Sequence, residues 1–168
     1  MIGYAISGRR RAKSIRRLAA AAILALAISP PVRAESCPTA TLDAAKALAE
    51  RAARHLADAG PDVALPQFMN PAGGFVAGDL YVFVFDFDGI LRASGGWPET
   101  VGSRVAADGG PDGGIYTHIR RLALDAGKGW VEYSWYNPCT RRIEPKASYI
   151  VRVGDFIVGV GAYKRPGV

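Results

Sequence analysis

Acidic residues are missing from the first 34 positions: all 15 Asp and Glu residues come later. Seven of the 21 Lys and Arg residues (Arg9, Arg10, Arg11, Lys13, Arg16, Arg17, Arg33) fall in that stretch, which leaves 14 basic against 15 acidic residues in 35–168. The formal charge of +6 is therefore a property of the N-terminus. A near-neutral body has no field to attract phosphate, so nucleic acid is excluded as a partner. Cysteine is scarce too. The two residues, Cys37 and Cys139, have no metal-type spacing, and no metal is expected. The Gly pairs at 95–96, 109–110 and 113–114 lack the strand–loop–Lys-Ser/Thr context that cradles a nucleotide. No motif sets a nucleophile beside a base and its orienter, so no catalytic residue is assigned.

What is present begins with a leader. A basic segment (9–17) precedes the apolar run LAAAAILALAIS (18–29), and Val32-Arg33-Ala34 offers small residues at the −3 and −1 positions of a cut after Ala34. The run is about half the ~20 residues that a membrane-spanning helix needs. A cleaved secretory signal over 1–34 and export to the periplasm are expected, with a retained N-terminal anchor as the alternative. The remaining 35–168 suffices for one domain with one core. In an oxidising compartment Cys37 and Cys139 could pair, closing a loop of about 100 residues worth roughly 4–5 kcal/mol in the chain-entropy view. Two separate thiols are the other possibility.

TLDAAKALAERAARHLADAG (41–60) predicts an amphipathic helix. Thr39 or Thr41 caps its start, Gly60-Pro61 stops it, and Leu42, Ala45, Ala49, Ala52 and Leu56 form its apolar stripe. Residues 62–78 read as a helical turn and a loop. LYVFVFD (80–86) is the strongest strand, apolar without alternation and so buried on both faces. Asp88-Gly89 marks a tight hairpin, and Ile90-Leu91-Arg92 begins the return strand. A Gly/Pro/Asp-rich loop (94–114) suggests a lid. A short helix over 115–127 follows, with Ile115, Ile119, Leu122 and Ala126 on one face, then strands at 130–136, 146–153 and 156–163. Short connections favour antiparallel neighbours. The fold class is α+β: a long N-terminal helix on an antiparallel sheet of about five strands, with a small helix and loop over the other face.

Strand alternation puts Val131, Tyr133 and Trp135 on one face, and Lys146, Ser148, Ile150 and Arg152 together on the next strand, opposite Ala147, Tyr149, Val151 and Val153. Phenols, an indole and an ammonium gathered in a cavity would suit a compact anion such as a carboxylate. Aromatic strand residues equally fill cores. Gly159 and Gly161 share a face, which either admits the helix or leaves pocket volume. His55 and His118 read as structural histidines. Asp86-Phe87-Asp88-Gly89 resembles the first motif of haloacid dehalogenase-type phosphatases, but no Asp-Asp pair and no βαβ repeat follows, and a hairpin explains it.

Taken in order, the motifs resemble the single Cache domain (type 2), an extracytoplasmic ligand-binding family with a PAS-like fold. The matching pieces are Gly78–Val84, Asp86–Gly89, the Gly102 loop, Gly129–Trp135 with Asn137-Pro138, Pro145-Lys146 with Ser148-Tyr149, and Gly159–Tyr163. They run over roughly 42–164. The resemblance implies a sensor pocket for a small organic ligand, best known for short carboxylates, with no cofactor and no catalysis. It makes Tyr133, Trp135 and Lys146 the pocket candidates, with Tyr149 and Tyr81 behind them. Where many members have Ala-His-Pro after the first hairpin, this chain has Ala93-Ser94-Gly95, which implies shifted specificity or lost binding. The chain ends five residues after Tyr163 without a second apolar span. A free periplasmic protein is therefore expected, acting through a membrane sensor or other signalling partner.

Overall fold

The computed structural model describes residues 40–105 and 113–164. The leader and Cys37 lie outside these residues. So does most of the second half of the loop expected to form a lid.

Helix α1 (Leu42–Ala59) starts where Thr41 Oγ1 accepts a hydrogen bond from the Ala44 N–H at 3.1 Å, the capping role expected of threonine. It stops at Gly60, whose φ of 77° is left-handed and suits glycine. Pro61 then opens α2 (Pro61–Met69), where a missing N–H costs nothing. The buried face of α1 comprises Ala45, Leu48, Ala49, Ala52, Ala53 and Leu56. The expected stripe holds except at Leu42, which lies in the first turn and is exposed.

Six antiparallel strands follow among the described residues: β1 (Val76–Ala77), β2 (Leu80–Asp86), β3 (Leu91–Ser94), β4 (Lys128–Asn137), β5 (Arg142–Val153) and β6 (Phe156–Tyr163). Their order is β1-β2-β6-β5-β4, with β3 also paired to β2. The two-residue β1, which gave no sequence signal, is the strand beyond the expected five. The β2–β3 hairpin turns at Gly89, φ 81°, and closes through Asp86 N–H to Ile90 O at 3.0 Å.

Each inner strand is two-faced. On β2, Leu80, Val82 and Val84 join the core beneath α1, while Tyr81 and Phe83 join the core on the opposite side, with Phe85 packed against it. On β6, Val158, Val160 and Ala162 face α1, and Ile157 faces away. The far side is covered by α3 (Gly113–Asp125). Its buried face is Tyr116, Ile119 and Ala123, rotated from the expected one. Ala126 lies past the last helical residue and is exposed, so the sheet engages the turn centred on Ile119. His55 is structural as read: its Nε2 lies 2.6 Å from Gln67 Oε1, and its ring stacks on Phe75 at 5.2 Å.

Candidate functional site

On the α3 side of the sheet lies a cavity of about 560 Å³. Its floor follows from strand periodicity: Tyr81, Phe83 and Phe85 project from one face of β2, and Tyr133 and Trp135 from one face of β4. Tyr116 and Ile119 of α3 roof it, and Trp97, from the loop after β3, forms an end wall.

Lys146 stands behind that floor. Its register on β5 sets it between Tyr133 of β4 and Tyr163 of β6. The side chain is 1% exposed. Nζ donates to the Tyr81 hydroxyl at 2.9 Å and lies 4.2 Å and 4.6 Å from the centres of the Tyr81 and Tyr163 rings. The ion pairs among the described residues, Arg92–Asp86 and Lys164–Glu132, do not include it. Burial without a carboxylate partner disfavours the ammonium. Its pKa falls to about 7, with the charge of Asp79 opposing the fall.

Glycine makes room for this arrangement. A Cβ at Gly161 would stand 2.2 Å from Ser148 Oγ and 2.5 Å from Lys146 Cε, and one at Gly159 would stand 2.2 Å from the Phe83 ring. The glycine pair therefore faces away from α1, and Phe83, Ser148 and Lys146 fill the space it leaves, so neither the helix nor open pocket volume occupies it.

The donors converge near Tyr81. Tyr133 Oη and Ser148 Oγ are 2.7 Å apart, and burial raises the pKa of Tyr133 well above the ordinary phenol value. Burial also raises Tyr81, with Trp97, Tyr163 and Trp135 nearby pulling it back. Trp97 Nε1 is close enough to bear on Tyr81 in this way, yet it is buried with no hydrogen-bond partner among the described residues. A buried N–H seldom goes unpaired in a folded protein, and this one belongs to a cavity-lining residue.

Ser94 explains how the loop holds Trp97 there. Its hydroxyl, 3% exposed, accepts from the Trp97 backbone N–H at 3.0 Å. A Cβ at Gly96 would meet the Tyr81 ring at 2.7 Å, so glycine lets the loop lie flat against that ring. Where the resemblance would place a histidine, the chain thus has a short hydroxyl that fixes a tryptophan.

Three of the five predicted ligand residues, Tyr81, Tyr133 and Trp135, line the cavity, and Lys146 reaches it through Tyr81. Tyr149 does not belong with them. It sits in the core beneath α1, edge-on to Trp130 at 5.1 Å and 5.4 Å from Lys46 Nζ. The period-two rule puts residues 146 and 149 on opposite faces, which rules it out as a pocket residue. Phe83, Phe85, Trp97 and Tyr116 line the cavity unpredicted. The first two could have been found by counting in twos from Tyr81. Trp97, in a glycine-rich loop, gave no periodic signal.

Asp86 has the role expected of a hairpin residue. Its Oδ1 accepts from the Asp88 and Ile90 N–H groups at 3.0 and 2.8 Å, and Oδ2 meets Arg92 Nε at 2.7 Å. Burial works against its charge, but Ile90, Arg92 and Asp88 together hold its pKa below the usual carboxylate range. Among the described residues no group of three His, Cys, Asp or Glu could hold a metal, and no helix is long and apolar enough to cross a membrane. Cys139 is not a free thiol.

No protein-family model matches the sequence, and no curated protein matches it. Solved structures do. A periplasmic sensor domain of a chemotaxis protein superposes with TM-score 0.56 at 22% identity, over 73% of this chain and 90% of that one. A methyl-accepting chemotaxis protein from Vibrio parahaemolyticus gives 0.60 at 17% identity, over 72% and 86%. A Cache chemosensory domain whose structure concerns carboxylic acid recognition gives 0.55 at 20% identity, over 73% and 88%. The α+β fold of this chain is the one these sensor domains share.

Proposed function

We propose that this chain is a Cache-type sensory domain of the periplasm, which binds a small organic carboxylate and presents its bound state to a signalling partner. The observation that carries the reading is Lys146: an amine almost fully buried beside a cavity, with no carboxylate in ion-pair reach among the described residues. Burying an amine without a counter-charge is costly, and a ligand carboxylate would provide the missing charge. Tyr81 would pass that charge to the cavity as a hydrogen-bond donor, and the unpaired Trp97 N–H would add a second donor. The shared fold with periplasmic sensors, one of them studied for carboxylic acid recognition, supports the same reading. Nothing in the donor set requires a cofactor or a reaction.

Export over 1–34 and cleavage after Ala34 belong to this proposal, as does a bridge between Cys139 and Cys37. Thermal-shift titration tests the ligand class. Acetate, propanoate, butanoate and longer acids, each compared with its neutral amide, should raise the melting temperature only as the acid. Flat melting curves with every acid would overturn the reading in favour of a domain filled by its own side chains.

A further inference from the structure

The cavity is lined mainly by apolar and aromatic side chains, with Thr100, Ser103 and Arg104 also in its lining. Tyr81, Phe83 and Phe85 lie two residues apart along β2, so the floor runs about 13 Å from first to last. The donors gather at the Tyr81 end. Toward Phe85 the lining includes the apolar Leu91, Val105, Ile115 and Ile119 beside Tyr116, and Arg104 there donates to the Asp88 carbonyl at 2.5 Å. The hydroxyl of Tyr116 is turned away from ligand duty, donating to the Asp86 carbonyl at 2.7 Å. Two ring pairs brace that wall, Phe83–Phe85 at 5.9 Å and Phe85–Tyr116 at 5.4 Å. About 560 Å³ falls within the range of cavities that enclose much larger ligands than a two-carbon acid. Acetate at the donor end would leave the apolar walls without contacts.

We infer that the ligand is a monocarboxylate with an extended apolar body, an arylalkanoate or medium-chain alkanoate, its head at Tyr81 and Trp97 and its body along Phe83 and Phe85. This rests on the carboxylate reading above and narrows it. Chain length is then the main determinant of affinity: each buried methylene tightens binding about fourfold.

Calorimetric titration of the purified full chain with acetate, butanoate, hexanoate, octanoate and 3-phenylpropanoate tests this. Affinity should climb from acetate to hexanoate, and 3-phenylpropanoate should bind at least about a hundredfold more tightly than acetate, while its neutral amide binds weakly. Acetate or butanoate binding as tightly as the longer acids would overturn the inference and leave the carboxylate reading standing. Failure of every acid would overturn both. Ile115→Trp narrows the apolar half and should weaken 3-phenylpropanoate at least about tenfold more than acetate. Equal losses for the two would also overturn the inference. If that variant does not fold, Val105→Phe narrows the same half and carries the same criterion.

Discussion

Lys146 is the residue on which the chemistry turns, and its protonation can be followed. The unfolded chain titrates this amine at 10.5 and the folded chain at about 7. Between those values the unfolded state holds a proton that the folded state lacks, so the contribution of Lys146 to stability rises with pH. Below about 7 the burial penalty is felt in full. Burial raises the pKa values of Tyr81 and Tyr163, whose rings flank the amine, above the ordinary phenol value, so both stay neutral between pH 6 and 9. A bound carboxylate prefers the ammonium. Affinity should therefore weaken about tenfold per unit as pH rises above 7, and level off below it. Titrations between pH 6 and 9, in buffers of different ionisation enthalpy, should also register uptake of one proton on binding above pH 7. A pH-independent affinity would contradict this. Lys146→Met keeps the volume and discards the charge. It should fold with an unchanged or higher melting temperature, yet weaken carboxylate binding at least about thirtyfold.

At the scale of the element, β6 decides how closely Phe83 and Lys146 pack against the sheet. It pairs with β2 and β5, so a side chain added to its inner face has nowhere to go. Gly159→Ala would drive a methyl into the Phe83 ring and should cost about 1–3 kcal/mol, read as a lower melting temperature. Phe83 also lines the cavity, so a displaced ring should lower ligand affinity as well. Wild-type stability in this variant would show that the ring packs elsewhere. On α1 the small side chains play the matching part: Ala45, Ala49 and Ala52 are fully buried and let the helix sit close on the sheet. These demands were visible in the order of residues, because both are periodic. The rotated face of α3 was not, since Tyr116 and Ile115 are both apolar and only the sheet decides between them.

At the scale of the whole molecule, the sheet divides two cores with different tasks. The one beneath α1 is continuous and apolar, whereas the one beneath α3 contains the cavity and its donors. A bridge from Cys139 to Cys37 would tie the segment before α1 to the turn between β4 and β5. Mass spectrometry of unreduced periplasmic protein should find the linked pair and a mature chain beginning at Glu35. Reduction should lower stability by about 2–4 kcal/mol. Two separately alkylated cysteines in unreduced protein would refute the bridge.

By itself the sequence determined the α+β class, the long first helix, five of the six described strands and the hairpin at Asp88-Gly89. Each is a local or periodic property, legible wherever apolar and polar residues repeat in twos or in turns of helix. Only the tertiary structure decided that Lys146 is sealed in and that Trp97 reaches Tyr81 from a loop. Burial depends on what lands over a side chain, and loop residues obey no period. Phe83 and Lys146 pack into space that glycine leaves at 159 and 161, and such a meeting between distant strands cannot be read from either strand alone.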